Sequence, residues 1–183
     1  MPIDWYAARA AGVVAYVLLT AVVLVGLTLS GRAQLGSSWP KFVVTELHRF
    51  GGILVGVFLG IHVFAIAMDT YTPFSLAQLV VPFASTYRPF WTAIGIVSME
   101  LLLAVAVTNM LKKHISYRTW RRAHYATFLV WAGATVHGIG AGTDSTTRWL
   151  GAIYAVSVGL VSGALAWRVM RSRERQSVQR VPA

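Results

Sequence analysis

Four of the five histidines in this chain form two pairs with almost equal spacing. His48 and His62 are fourteen residues apart, and His124 and His137 are thirteen residues apart. Both pairs lie in apolar stretches, where an imidazole is costly unless it is bonded to a partner. Imidazole is a common ligand of iron, copper and zinc, and it also carries protons near neutral pH. The two pairs therefore indicate metal ligation or proton transfer.

The elements that must hold these histidines are predicted to be transmembrane helices. Of the 183 residues, 56% are hydrophobic and 12% are charged. The apolar blocks are about 20 residues long, which matches the thickness of a bilayer. We expect an all-α integral membrane bundle of five transmembrane helices, over residues 10–29, 42–68, 92–111, 119–139 and 149–170. Residues 1–170 would form one transmembrane domain, and residues 171–183 a basic cytoplasmic tail that is frayed.

The basic residues indicate how the chain is oriented. The formal net charge is +10, but the basic residues lie between apolar blocks and in the tail, so we expect no nucleic-acid partner. With five crossings, thirteen of the sixteen fall on one side, opposite Arg9, Arg88 and Arg148. The positive-inside rule then predicts a cytoplasmic C-terminus and an outer N-terminus in the plasma membrane. A cleaved signal peptide is the alternative for residues 1–30, but no A-x-A-like site follows the long apolar run.

In this topology the second and fourth helices run in the same direction. At about 1.5 Å per residue, the members of each pair are separated by roughly 20 Å along the membrane normal. His48 and His124 would form a cytoplasmic layer, and His62 and His137 an outer layer. Two stacked haems, each held axially by one histidine from either helix, need this arrangement. The chain has no cysteine, so both haems would be b-type and bound without covalent attachment.

Helix geometry supports the first pair better than the second. Fourteen residues bring His62 to within about 40° of His48 around the helix axis. Thirteen residues leave His137 about 140° from His124 on an ideal helix. We therefore expect a local distortion or a tilt of the fourth helix near its glycines, which lie between residues 133 and 140.

Three residues between His48 and His62 are candidate haem contacts. Gly52 would let a flat macrocycle approach the helix backbone, and Val55 and Leu59 would fill the space between two porphyrins. The three glycines at positions 52, 56 and 60 fit helix-to-helix packing equally well.

Arginines near the histidines are candidate partners of the haem propionates. Arg49, Arg121 and Arg122 would serve the cytoplasmic haem, and Arg88 and Arg148 the outer one. The same residues are also explained by topology alone.

These features resemble the ferric reductase-like transmembrane domain family. The resemblance lies in the paired histidines, in "SYRTWRRAHY" at the start of the fourth helix and in "HGIGAGTD" at its end, and it covers roughly residues 10–170. It implies two b-type haems that conduct electrons outward, the inner held by His48 and His124 and the outer by His62 and His137. Many members have six helices and a flavin and nicotinamide domain. This chain has no G-x-G-x-x-G motif, so its electrons would come from a separate partner.

We therefore expect a membrane cytochrome b, surrounded by lipid, that depends on a separate reductase. The donor would be a cytoplasmic flavoprotein or a membrane quinol, and the acceptor an outer flavoprotein, a ferric complex or oxygen. Whether FMN, FAD or a quinone also binds stays open. The alternative is a small transporter or assembly subunit that uses the histidines and Glu100 for protons or a metal. Glu100 is also explained as a neutral acid bonded to Ser98 or to a facing helix.

Overall fold

The structure is a computed structural model that describes residues 3–30, 40–70 and 72–178. These residues form helices and no strand. In chain order the helices are α1 (Ile3–Ser30), α2 (Lys41–Met68), the short α3 (Leu76–Val80), α4 (Pro89–Met110), α5 (Tyr117–Ala141) and α6 (Arg148–Val178). A 3₁₀ turn at Leu111–Lys113 follows α4. The all-α prediction is confirmed for this part of the chain.

The helices extend beyond the apolar blocks that predicted them. Hydropathy marks only the apolar part of a helix, whereas backbone hydrogen bonding continues into polar flanks. The largest difference is at α6, which continues to Val178. The prediction of a frayed tail is therefore wrong for residues 171–178, where arginine and glutamate favour helix and the Arg171 guanidinium lies 4.7 Å from the Trp167 ring centre. Residues 179–183 lie outside the described residues.

Four helices of the described chain are long and apolar enough to cross a membrane. They cover Ile3–Leu29, Lys41–Met68, Pro89–Lys113 and Arg148–Arg173. Helix α5 has 25 residues, which is sufficient length, but three arginines near its start and two histidines make it less apolar. Large apolar side chains such as Phe42, Phe64 and Leu103 are exposed on the helix surfaces, as expected of side chains that contact lipid.

Helix α1 is central to the packing. It runs along α2 and also contacts α5 and α6, while α4 runs along α5. The buried core therefore combines side chains from four helices, namely Leu19, Val23, Leu27, Val55, Val130 and Val161. Among the described residues, α2 and α5 are not one of the closely packed helix pairs. The two helices that hold the paired histidines therefore face each other across a gap.

Polar side chains join α1 to α5 inside this apolar core. The indole nitrogen of Trp131 donates a hydrogen bond to Thr20 Oγ1 at 3.0 Å. The Thr135 and Tyr16 hydroxyls are hydrogen-bonded at 3.1 Å, and Thr135 also contacts the Trp131 carbonyl at 2.9 Å. Thr20, Tyr16 and Thr135 are all buried, and unpaired polar groups are expensive there. These bonds therefore fix α5 against α1 at the level between the two histidine pairs.

Candidate functional site

The structure brings the four histidines together in two pairs. The ring centres of His48 and His124 are 6.0 Å apart, with an angle of 61° between the ring planes. Those of His62 and His137 are 6.5 Å apart, with an angle of 82°. Each pair combines one imidazole from α2 with one from α5. The pairing expected from the sequence is therefore present in the geometry.

Three of the four imidazoles are bonded to a backbone carbonyl of a neighbouring helix. The Nδ1-to-oxygen distances are 3.0 Å from His48 to Val22, 2.6 Å from His62 to Ala8, and 2.9 Å from His137 to Trp91. A carbonyl oxygen can only accept, so each Nδ1 carries the proton and donates it. The Nε2 lone pair of each ring is then available to bind a metal ion.

His124 is held differently from the other three histidines. Its Nδ1 is buried and has no hydrogen-bond partner in the part of the chain that the structure describes. The ring stacks on Trp120, with ring centres 5.2 Å apart and planes 21° from parallel. Lys112 lies above the Trp120 ring, with its Nζ 4.3 Å from the ring centre. Aromatic stacking therefore takes the place of the carbonyl contact.

A cavity of about 240 Å³ adjoins the His62–His137 pair. Its wall is mainly apolar and is formed by residues from all six helices. Val55 and Leu59 lie on this wall, and Val55 is only 3% exposed. Both therefore lie beside the space between the two histidine-bearing helices. Gly52 is not among the lining residues.

Arg9 is a cavity residue that the sequence analysis used only as a marker of topology. It forms an ion pair with Asp144, and both side chains line the cavity. The two outer arginines that the sequence favoured do not line it. Arg88 donates to the carbonyl of Gly140 at 2.6 Å, and Arg148 is exposed. Charge was the signal that could have predicted this ion pair, because Arg9 and Asp144 carry opposite charges and are predicted at the same membrane face.

The other arginines predicted for the site lie on the protein surface. Arg49 is exposed, with its guanidinium 3.7 Å from the Glu46 carboxylate. Arg121 is exposed and donates to the Tyr125 hydroxyl at 2.9 Å. Arg122 is exposed as well. The structure gives none of the three a contact with a paired histidine.

Three of the four glycines of α2 meet no other helix of the described chain. A Cβ built at Gly52, Gly56 or Gly60 would have no neighbour within 4 Å, and all three positions are exposed. The packing interpretation of this stripe therefore has no support from contacts within the described residues.

Helix α5 shows no break at its glycines, since it is continuous from Tyr117 to Ala141. Gly133 lies against Ser98, Gly138 against the Tyr154 hydroxyl, and Gly140 against the Trp91 ring. These glycines permit close approach of α4 and α6.

Glu100 lies apart from the histidine pairs. It is exposed on α4 and does not line the cavity. The expected bond from Ser98 is absent, because the Ser98 hydroxyl donates to the Ile94 carbonyl at 2.8 Å. Within the described residues there is also no group of three or more histidine and carboxylate side chains that could hold a metal ion. A metal at these pairs needs ligands from another source.

Comparison with known proteins identifies the family. A family model described as the ferric reductase-like transmembrane component matches residues 11–135. The chain belongs to this family. The match includes His48, His62 and His124, and it ends two residues before His137. Family membership and the apolar helices make the chain a multi-pass membrane protein and indicate a role in membrane electron transfer. No curated protein and no solved structure matches the chain.

Proposed function

We propose that the protein is a membrane cytochrome b that relays electrons across the plasma membrane through two stacked b haems, each an iron protoporphyrin IX. The separation of the ring centres carries this proposal. A metal–imidazole bond of about 2 Å on either side, plus roughly 1 Å from each nitrogen to its ring centre, gives about 6 Å between two axial imidazoles. The two pairs have separations of 6.0 and 6.5 Å.

The donor set supports haem over a bare metal ion. Each pair offers two imidazoles, and a porphyrin supplies the remaining four nitrogen ligands of iron. Three of the rings hold their proton on Nδ1, which directs Nε2 toward ligation. The gap between α2 and α5 and the apolar cavity beside His62 and His137 fit a flat apolar macrocycle.

The residues around the pairs have separable roles in this proposal. Bound haem would supply a one-electron carrier at each of two depths. The four histidines hold it, the carbonyls of Ala8, Val22 and Trp91 orient the rings, and Val55 and Leu59 exclude water from the space between the layers. Arg9 is the candidate partner for a propionate of the outer haem, since it lines the cavity. Arg49, Arg121 and Arg122 remain candidates at the other face, where a propionate would have to reach the surface.

The proposed topology sets which pair lies on which side of the membrane, and the family resemblance implies that electrons move outward. We take α5 as a fifth crossing, with the N-terminus outside and the C-terminus in the cytoplasm. The His48–His124 pair then lies on the cytoplasmic side and receives electrons from a flavoprotein reductase or a quinol. The His62–His137 pair passes them to an outer flavoprotein, a ferric complex or oxygen. Whether FMN, FAD or a quinone binds the chain itself stays open.

The transporter alternative has less support. It requires ionisable groups that follow one another across the membrane. Glu100, the carboxylate available at mid-depth, is exposed on α4 and lies outside the cavity that contains His62 and His137. The four paired histidines also fall in two separate layers rather than in a continuous series.

The test is the haem content of the purified protein with its reduced-minus-oxidised spectrum. The wild type should bind two haems per chain with a bis-histidine b-type spectrum. His62→Ala and His137→Ala should each retain about one, because the other pair is intact. His114→Ala is the matched control, since His114 is exposed in the connection before α5, and it should retain both. A colourless wild type, or unchanged haem content in both cavity variants, would contradict the proposal.

A further inference from the structure

The three carbonyl-bonded histidines share a second feature, a glycine one helical turn beyond the carbonyl. His48 bonds to Val22, and its ring lies against Gly26. The corresponding residues are Ala8 and Gly12 for His62, and Trp91 and Gly95 for His137. In all three cases the glycine is four residues after the carbonyl.

This spacing has a direct physical reason. In an α-helix the side chain at position i+4 lies beside the carbonyl of residue i, which is why serine and threonine there bond back to it. A carbonyl has two lone pairs, one used by the helix and one free. Removing the side chain at i+4 opens that free lone pair to a group from a neighbouring helix. Glycine at this position therefore creates a place for an imidazole ring.

A Cβ atom built at any of these three glycines would lie very close to the histidine ring. A Cβ at Gly95 would lie 2.5 Å from His137 Nδ1, and one at Gly12 would lie 2.9 Å from His62 Nδ1. At Gly26 the nearest atom would be His48 Cε1, at 3.0 Å. Alanine at any of the three positions would push the ring away from its carbonyl, most strongly at Gly95.

The fourth histidine provides an internal comparison. Helices α4 and α5 run antiparallel, so a position thirteen residues before His137 on α5 corresponds to one about thirteen residues after Trp91 on α4. That carbonyl would be Ala104, and the residue four further on is Thr108, whose hydroxyl bonds to Val105. No glycine occurs between residues 103 and 110. The histidine with no glycine at the matching depth of α4 is thus the one whose Nδ1 lacks a partner among the described residues.

We infer that Gly12, Gly26 and Gly95 are positioning residues that fix the tautomer and orientation of His62, His48 and His137 as haem ligands. This inference rests on the proposed function. Hydrogen-bond partners behind a metal-bound histidine typically contribute about 10- to 100-fold in metal affinity. Each glycine should therefore affect one haem, the one held by the histidine that it contacts.

The experiment compares Gly12→Ala, Gly95→Ala and Gly26→Ala with Gly159→Ala. Gly159 is on α6, where an added Cβ meets nothing within 4 Å. The readouts are haem content, the electron paramagnetic resonance spectrum of each ferric haem and the midpoint potential of each haem. The two haems are distinguished by the spectra of His62→Ala and His48→Ala. Gly12→Ala and Gly95→Ala should alter or lose the outer haem alone, and Gly26→Ala the inner haem alone.

An effect on one haem only would distinguish a positioning role from a general role in helix packing. A packing defect would lower the thermal stability and disturb both haems alike, and that outcome would overturn the inference. So would spectra and potentials equal to those of Gly159→Ala, or loss of folded protein in all three variants while Gly159→Ala accumulates. If the wild type binds two haems and the glycine variants are unaffected, this inference alone is contradicted. If the wild type binds no haem, the proposed function is contradicted as well.

Discussion

At the scale of single residues, the four histidines are not equivalent. Three have Nδ1 bonded to a carbonyl, while His124 depends on the stacked ring of Trp120. That ring is itself held, because its indole nitrogen donates to Asn109 Oδ1 at 3.4 Å and Lys112 lies over its face. A stacked ring restrains tilt but leaves rotation in its own plane free, so His124 has the weakest orientational restraint of the four.

Replacing Trp120 with leucine should therefore affect only the haem that we propose at the His48–His124 pair. Aromatic pairs contribute about 0.5–1.5 kcal/mol beyond their buried area, so we expect haem binding at the His48–His124 pair to weaken about 2- to 10-fold. The resonance spectrum of that haem should broaden as the imidazole adopts several orientations. Trp167→Leu is the control, since Trp167 contacts Arg171 rather than a histidine. Equal effects of the two variants would exclude a specific role for the stack.

Residues next to a histidine in sequence were poor guides to its neighbours in space. Consecutive residues on a helix point about 100° apart, so Arg49 projects away from His48 to the surface. The carbonyls that accept from His48, His62 and His137 come from other helices, whereas His124 stacks on Trp120 of its own helix. The spacing of the histidines could be read from the chain, but the identity of their acceptors depends on which helices pack together, and no local pattern contains that information.

At the scale of elements, α1 contributes more than the sequence analysis assigned to it. It supplies two of the three acceptor carbonyls and the cavity arginine. Its apolar pattern predicted a helix, and the structure extends that helix to Ile3. Gly12 and Gly26 carried no signal by themselves, because glycine is common in membrane helices. Their contacts with His62 and His48 become visible only in the structure, where α1 runs antiparallel to α2.

The ion pair between Arg9 and Asp144 ties α1 to the connection between α5 and α6. Each side chain is about one-quarter exposed, so we expect Arg9→Gln or Asp144→Asn to lower the free energy of unfolding by about 1 kcal/mol. The double variant should be no less stable than the less stable of the two single variants, because the two residues share one interaction. Thermal unfolding in detergent measures this, with Arg148→Gln as control. Additive losses would show that the pair is not coupled.

At the scale of the whole molecule, the bundle consists of two antiparallel helix pairs, α1 with α2 and α4 with α5, joined through α1. Hydropathy predicted five long helices. The described residues contain five, of which four are long and apolar enough to cross a membrane. Helix α5 contains the polar residues of the site, which lower its hydropathy. The helix that contributes two of the four paired histidines is thus the one that composition identifies least well.

The proposed topology can be tested by labelling single cysteines, because the chain has none of its own. Thr146 is exposed in the connection before α6, and Lys113 is exposed in the connection before α5. In intact cells an impermeant maleimide should label Thr146→Cys, whereas Lys113→Cys should react only after permeabilisation. The reverse pattern would mean that the bundle has the opposite orientation in the membrane. Labelling of both residues in intact cells would mean that α5 does not cross the membrane.

The carbonyls of Ala8 and Val22 are fourteen residues apart on α1, and so are His62 and His48 on α2. One inserted residue between the two carbonyls would rotate one of them about 100° and shift it about 1.5 Å relative to the other. Only one of the two histidines could then keep its acceptor. Relatives that retain both contacts must therefore conserve this interval in both helices, and differences in chain length among them should be confined to the connecting segments.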